Sequence, residues 1–343
     1  MIKEKQASLI NVHHGVEHFI KQNRNNNSKY ELFSTYAKAL KPDSYYILEA
    51  LEYADTNNWH DIFDLLIERA TNKEWTELYK LKKRSQSLSI GEMEFQIKKI
   101  NPKSDEMKIF SKLIMVYKTC DTTNFKLMNK YADSIDTEEM EDGFIKSSFR
   151  SRLLVLLANT FLFEGNLYAA RYYASLAIIE SNIDRFSAFG YLHIGNSYML
   201  TDYKTAKDNF LSGLKFAKPG DNHYKQLIRS LSFLENYWGN DHKYTDFQSG
   251  CTEDVHEQAF YWINRNEHEK ALNLLNGVDR STLSNGLLAF HYFYRGLISS
   301  DKSDFYNSIK YFKLSGDKFF VECPLRELNK LGEDRKIVDI FAI

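Results

Sequence analysis

The chain has 343 residues, and its 45 Lys and Arg residues nearly balance its 46 Asp and Glu residues, for a formal net charge of −1. This balance excludes an overall basic field that would attract nucleic acid. The three distant cysteines (Cys120, Cys251 and Cys323) suit neither a disulfide framework nor a paired zinc motif, so we expect a reducing compartment, the cytoplasm. The N-terminus has no signal-peptide pattern, and no apolar run is long enough to span a bilayer, so we expect no membrane partner.

Helical spacing of apolar residues continues along almost the whole chain, which contains only four prolines and 15 glycines. This composition predicts an all-α fold. Residues 1–45 are predicted to form N-terminal helices without a clear helix-turn-helix. Residues 46–343 are predicted to form a tetratricopeptide-like repeat domain, whose first, weaker units lie around residues 52–70 and 110–132.

Four clearer units each carry a small residue where two helices should cross: Ala158, Gly195, Ala259 and Gly296. The first two and the last two are each 37 positions apart, and the gap between the pairs leaves room for one degenerate unit around residues 231–238. A single helical hairpin cannot bury its own apolar face, so such units stack. The pattern predicts a right-handed α-solenoid of degenerate helical hairpins; the alternative is a non-repetitive helical bundle.

The first helices of the hairpins should line a groove, with the residue after each small anchor facing it. This residue is Asn159 in one unit and Asn196 in the next. An Asn amide both donates and accepts hydrogen bonds, which suits an extended peptide backbone. Arg185 precedes Asn196 by about three helical turns and would share its face if one helix carries both. The alternative for the two Asn residues is surface polarity or bonding at helix ends.

The usual enzyme motifs are absent from the sequence. It has no glycine-rich phosphate loop, no dinucleotide fingerprint and no nucleophile elbow, and His13, His14 and His18 lie without a metalloprotease motif. We therefore expect no catalytic residues, no metal and no cofactor. One basic patch, Lys80 to Arg84 (KLKKR), could contact phosphate, but a solvated helix end is the favoured explanation, because a single patch without a recognition helix is weak evidence.

Five longer strings identify a family: ALEYADTNNW, FIKSSFRSRLLVLLAN, RFSAFGYLHIGNSYM, SIKYFKLSGDKFF and PLRELNKLGED. In these strings the chain resembles the arbitrium receptors, the AimR proteins of temperate Bacillus phages, from about residue 10 to the C-terminus. The resemblance implies a helical-repeat receptor for a short secreted phage peptide of about six residues. It also implies a homodimeric transcription regulator that acts in the lysis–lysogeny decision.

The resemblance implies eight peptide-binding positions, which in this sequence are Asn159, Arg185, His193, Asn196, Met199, His256, Asp317 and Phe319. Only Asn159, Arg185 and Asn196 are also suggested by spacing, and Asp317 comes from the resemblance alone. The positions of His193 and His256 vary among members, so the resemblance implies that these residues tune which peptide is accepted.

Members of the family typically carry an N-terminal helix-turn-helix, which residues 1–45 do not resemble. We therefore expect promoter DNA as a partner only if that unit is present in the full-length protein. The apolar C-terminal segment, residues 337–343, is predicted to be covered either by the preceding helix or by a second subunit, and the resemblance favours packing in a homodimer. Two other readings stay open: a scaffold that binds a host or phage protein, and a DNA-binding regulator that uses the KLKKR patch.

Overall fold

The computed structural model describes residues 13–23, 28–122, 125–240 and 242–334. The predicted dimerisation segment, residues 337–343, lies outside these ranges. Within them the chain forms eighteen α-helices and no strand, which confirms the prediction of an all-α fold. The first nine helices are α1 (Val16–Asn23), α2 (Lys29–Ala39), α3 (Tyr46–Thr56), α4 (His60–Arg69), α5 (Lys73–Lys83), α6 (Ile90–Ile100), α7 (Asp105–Asp121), α8 (Phe125–Asp133) and α9 (Phe144–Phe163). The others are α10 (Leu167–Glu180), α11 (Asp184–Tyr198), α12 (Tyr203–Leu214), α13 (Asn222–Trp238), α14 (Thr252–Ile263), α15 (His268–Asn276), α16 (Asn285–Ser299), α17 (Lys302–Leu314) and α18 (Glu322–Lys330).

The chain divides into two compact units. The described residues up to 156 and residues 176–186 form unit 1, and residues 157–175 with the described residues from 187 onward form unit 2. In unit 1 the predicted weak repeats are the hairpins α3–α4 and α7–α8. Helices α1 and α2 contribute Val16 and Phe33 to the same apolar core as Ile47 of α3. The domain boundary expected at residues 45 and 46 stays a prediction.

A buried ionic network in unit 1 joins α3 to Arg152 of α9. The Arg152 guanidinium donates to Glu52 Oε1 at 2.6 Å and Oε2 at 3.0 Å, and to Asp55 Oδ2 at 2.6 Å. The Glu52 side chain is fully buried and also accepts from Tyr79 Oη at 2.8 Å. Burial opposes ionisation of Asp55, but Lys82 and Arg152 outweigh it and lower the pKa of Asp55 to about 2. These contacts fix the C-terminal half of α3 in unit 1.

Unit 2 contains the stacked hairpins predicted from the small anchors. The pairs α11–α12, α14–α15 and α16–α17 have short turns at the predicted places, and α13, α14 and α16 pack on successive neighbours. A Cβ atom at Gly195 would lie 2.4 Å from the ring of Phe210, and one at Gly296 would lie 2.7 Å from the ring of Phe305. The small anchors therefore allow close helix crossings, as the repeat pattern predicts.

The degenerate unit predicted around residues 231–238 is a single long helix, α13. The described residues between Gly239 and Cys251 form no second helix. This stretch is instead held by side chains: Gln258 Nε2 donates to Asp246 O at 2.7 Å and to Ser249 O at 2.9 Å. The repeat therefore loses its second helix here and keeps only the helix that continues the stack.

Replacing Gly296 with Ala should destabilise the protein by about 1–3 kcal/mol, because the new Cβ would overlap the buried ring of Phe305. Gly286 is a matched control in the same helix, since nothing lies within 4 Å of a Cβ atom built there. Gly286→Ala should be neutral or stabilising by up to about 1 kcal/mol. Urea unfolding of both variants measures the difference, and equal stabilities would contradict the close crossing.

Candidate functional site

A pocket of about 220 Å³ lies within unit 2, between residues of α11, α13, α14 and α16. Its lining residues are Asn196, Met199, Arg229, Ser230, Phe233, Glu253, His256, Glu257, Leu287, Phe290, Tyr294 and Phe320. Helical spacing explains why they converge: Arg229 and Phe233 are four residues apart on α13, and Phe290 and Tyr294 are four apart on α16. We call this cavity the α11–α16 pocket.

Aromatic rings form one wall of the α11–α16 pocket. The ring centroids of Phe233, Phe290 and Phe320 lie 5.1–5.7 Å from one another, two of the pairs edge to face near 75–79°. Such edge-to-face clusters hold their rings in place and offer a firm apolar surface. The wall can therefore accept an apolar side chain without rearranging.

Two polar atoms of the pocket residues have no hydrogen-bond partner among the described residues. They are Asn196 Oδ1 and His256 Nδ1, and both are buried away from solvent. The His256 side chain is only 2% exposed. A buried polar atom without a partner typically costs about 1–3 kcal/mol. A ligand that formed hydrogen bonds to these two atoms would remove this cost.

His256 forms a pair with a second buried histidine. Its Nε2 lies 3.2 Å from Nδ1 of His291, whose side chain is 1% exposed. Burial and the neighbouring His291 lower the pKa of His256 to about 3. Burial, with Arg295 and Arg280 nearby, lowers the pKa of His291 to about 4. Both rings are therefore neutral at physiological pH.

The charged side chains of the pocket are engaged with protein groups. Arg229 donates to Asp254 Oδ1 at 2.7 Å and to Oδ2 at 3.0 Å, and it lies 3.5 Å from Glu253. Glu257 accepts from Tyr294 Oη at 3.0 Å and from Asn236 Nδ2 at 3.0 Å. Burial raises the pKa of Glu257 to about 7 in spite of these bonds. The carboxylates fix the Arg and Tyr side chains that shape the pocket.

Asp317 has a local structural role beside the pocket. It is 4% exposed, and its Oδ1 accepts from the backbone N–H of Phe320 at 2.8 Å, which places the Phe320 ring in the aromatic wall. The next backbone N–H, of Lys318, donates to Phe163 O at 2.7 Å. Asn159 lies one helical turn before Phe163 on α9. The structure thus brings the segments that carry Asn159 and Asp317 together within unit 2.

Three more of the predicted residues lie near these groups in unit 2. Met199 lines the pocket, and its carbonyl accepts from Trp238 Nε1 at 2.8 Å. His193 precedes Asn196 by nearly one turn of α11 but does not line the pocket; burial lowers its pKa to about 4. Phe319 is 6% exposed and packs on Phe320 at a centroid distance of 5.0 Å.

Arg185 belongs to unit 1, where it binds the end of α3. Its Nη1 donates to Thr56 O and to Asn58 Oδ1, each at 3.0 Å. Asn58 adopts a left-handed backbone conformation with φ of 56° just after α3. Arg185 therefore helps to fix the turn that follows α3.

Several pocket residues were not predicted from the sequence. Arg229, Phe233, Tyr294 and Phe320 lie outside the equivalent repeat positions. Tyr294 is buried, at 1% exposed, and it also lines the pocket. A helical wheel of α13 could have found Arg229, because a charged residue four positions before Phe233 shares its face.

The KLKKR patch is largely neutralised by acidic neighbours in unit 1. Lys82 lies 2.7 Å from Asp55, Lys83 lies 2.7 Å from Asp64, and Lys80 lies 3.1 Å from Glu77. Ion pairing of this kind leaves less positive charge for a phosphate group.

None of the helices in the described ranges is long and apolar enough to cross a bilayer.

The stacked hairpins of unit 2, with a mainly apolar pocket that also carries polar side chains, define a helical-repeat protein with a candidate ligand site. The AimR transcriptional regulator-like family matches residues 29–330, and the chain belongs to this family. The resemblance found in the sequence is thereby confirmed. The members of this family are named as transcriptional regulators, a class distinct from enzymes.

Individual relatives and solved structures agree with this assignment. The AimR transcriptional regulator of Bacillus phage SPbeta is 36% identical over 324 residues, covering 92% of this chain and 84% of the relative. That of Bacillus phage phi3T is 33% identical, with coverage of 92% and 85%. The selenomethionine form of phAimR has a TM-score of 0.82 at 33% identity, covering 96% of this chain and 87% of the other. A structure called phAimR-Ligand has a TM-score of 0.81 at 32% identity, with coverage of 93% and 98%.

Proposed function

We propose that this chain is the receptor for a short peptide of about six residues, and that the peptide controls its activity as a transcription regulator. The observation that carries the proposal is the pair of unpartnered buried atoms, Asn196 Oδ1 and His256 Nδ1, in the α11–α16 pocket. The similarity to a ligand-bound relative, phAimR-Ligand, supports it.

The dimensions and chemistry of the pocket favour a peptide over a larger small molecule. Its volume of about 220 Å³ is below the roughly 300–1,000 Å³ typical of sites for drug-sized ligands. It therefore suits one or two residues of a longer ligand that continues along the groove. Asn196 and His256 would bind polar groups of the peptide, and the wall of Phe233, Phe290 and Phe320 would bind an apolar side chain.

Charged groups would bind the remainder of the peptide. Asp317 would pair with a cationic group, and Arg185 would bind a carboxylate through its guanidinium. Asn159 would bind the peptide backbone, while Met199 and Phe319 would contact apolar parts. His193 and His256 would tune which peptide is accepted.

We propose that the regulator acts as a homodimer in the cytoplasm of the host bacterium and takes part in the lysis–lysogeny decision. Promoter DNA would be its partner where the full-length protein carries a helix-turn-helix. Family membership as a transcriptional regulator supports this reading.

Isothermal titration calorimetry with pooled synthetic hexapeptides that have free termini tests the proposal. One residue is fixed in each pool and the others are mixed, so the active pools spell out the preferred sequence. We expect a subset of pools to bind wild-type protein and to lose most of their heat with Asn196→Ala. A scaffold that binds only folded proteins would give no heat with any pool, and an unchanged isotherm for Asn196→Ala would place the peptide elsewhere.

The affinity for a hexapeptide with a cationic group should rise with pH through neutrality. Burial raises the pKa of Asp317 to about 7, so the carboxyl is largely protonated at pH 6 and must lose its proton to pair with a cation. Between pH 6 and 7.5 the affinity should rise roughly eight-fold. Calorimetry at both pH values measures the change.

Asp317→Asn is the matched control, because an amide oxygen can still accept from Phe320 but cannot titrate. This variant should lose the part of the pH dependence that belongs to Asp317. Among the pocket-lining groups, Glu257 would account for a remainder, since burial also raises its pKa to about 7 whereas the pKa of His256 lies near 3. The α-amino group of the peptide would add its own titration near pH 8. An undiminished dependence in Asp317→Asn would contradict the assigned role.

A further inference from the structure

His256 and His291 lie within hydrogen-bond distance of each other, with Nε2 of His256 3.2 Å from Nδ1 of His291. His256 lines the α11–α16 pocket, whereas His291 lies behind it and is not one of the lining residues. Because His256 Nε2 faces His291, the other ring nitrogen, Nδ1, is the one left for a ligand. The state of that nitrogen therefore decides what the pocket can bind.

We propose that His291 is a positioning residue that holds His256 with a proton on Nε2 and a bare Nδ1, so that the pocket selects a ligand group that donates hydrogen bonds. The inference rests on the proposed peptide-receptor function and names the chemistry that this pocket selects. His291 acts through His256 and does not touch the ligand itself.

Counting the protons and bare nitrogens of the two neutral rings shows which ring donates the hydrogen bond. Each neutral imidazole has one N–H and one bare nitrogen, and the bond between the rings uses one proton. If His256 donates, its Nδ1 is a bare acceptor. If His291 donates, His256 instead buries an N–H at Nδ1 with no partner among the described residues. Buried donors without partners are rarer than under-used acceptors, which favours donation from His256.

The surroundings of the pocket reinforce the same selection. Asn196 Oδ1 is a second acceptor without a partner in the described part of the chain. Glu253 and Glu257 add carboxylates to the lining, while the one lining cation, Arg229, is bonded to Asp254 and lies beside Glu253. With Nδ1 of His256 bare, both unpartnered buried atoms of the lining are acceptors. The ligand group that satisfies them is a donor: a protonated amine, a hydroxyl or an amide N–H of the peptide.

Nitrogen-15 NMR of the unliganded full chain, labelled at histidine, tests the tautomer without any peptide. We expect His256 to show a proton-bearing Nε2 and a bare Nδ1, with His256→Gln identifying the signal by its loss. His291→Gln should keep this pattern because its amide oxygen can accept from Nε2, whereas His291→Leu should lose it. A proton on Nδ1 of His256 in the wild-type chain would overturn the proposal, even if peptides bind.

Peptide selection provides the second readout. In the pools of free hexapeptides, His291→Leu should weaken the best binder about ten-fold or more, while His291→Gln should stay within about three-fold of wild type. Acetylating the peptide N-terminus identifies the donor: a large loss points to the terminal amine, and no loss points to a side chain or backbone N–H. Equal affinity of His291→Leu and wild type would overturn the role of His291. Binding by no pool would instead contradict the peptide-receptor function and leave the NMR result to decide the tautomer.

Discussion

Replacing Arg185 with Ala should weaken the binding of a hexapeptide by at least about 30-fold, because truncating one partner of a desolvated charge pair typically costs about 2–5 kcal/mol. The expected partner is a peptide carboxylate, which a guanidinium can bind through two N–H groups. Arg185→Lys should recover only part of the affinity, since an ammonium cannot form the two-pronged bond. Calorimetry with the best hexapeptide measures all three proteins.

A control is needed because Arg185 also binds unit 1. Its Nη1 holds Thr56 O and Asn58 Oδ1, so Arg185→Ala would also release the end of α3. Asn58→Gly removes one of these acceptors while keeping a residue that tolerates the positive φ of 56°. This variant should bind peptide nearly as wild type does. If it weakens binding as much as Arg185→Ala, Arg185 acts through α3 and not through the peptide.

The fold could be predicted from the sequence wherever the same pattern of small and apolar residues recurs along the chain. Ala158 and Gly195 are 37 positions apart, as are Ala259 and Gly296, because helix crossings demand a small residue there, and the contacts of Gly195 and Gly296 show the reason. The missing second helix after α13 could not be predicted in this way. It is replaced by side-chain bonds, such as those of Gln258 to Asp246 and Ser249, which no periodicity encodes.

The candidate site was also predictable only in part, because side-chain contacts between distant residues leave no periodic pattern in the sequence. Equivalent repeat positions pointed to Asn196, which does line the pocket. Two hydrogen-bond partners of Arg185, by contrast, are more than 125 positions away in the sequence, and the bond from Phe320 to Asp317 depends on one turn. The bond between His256 and His291 joins two helices that sequence spacing does not align. Contacts of this kind appear only when the chain is folded.

Arg152→Ala should destabilise unit 1 by about 3–5 kcal/mol, the largest structural effect that we expect in this chain. Glu52 is fully buried, and without Arg152 it would keep Tyr79 and Ser148 as hydrogen-bond partners but lose its counter-charge. Asp55 would retain Lys82 at 2.7 Å. The uncompensated charge therefore falls on Glu52 in α3, the same helix whose C-terminal end binds Arg185.

Arg150 provides the matched control two positions earlier in α9. It forms ion pairs with Glu138 and Glu180, but its side chain is 37% exposed, so Arg150→Ala should cost at most about 1 kcal/mol. The double variant Glu52→Gln with Arg152→Met should lose less stability than Arg152→Ala, because it removes both charges together. Urea unfolding measures the free energies, and hydrogen exchange localises the loss, which should appear in α3 and the first half of α9. Equal costs for Arg152→Ala and Arg150→Ala would show that the buried network does not hold α3, and Arg185 would then be bound to a helix end that is fixed by other contacts.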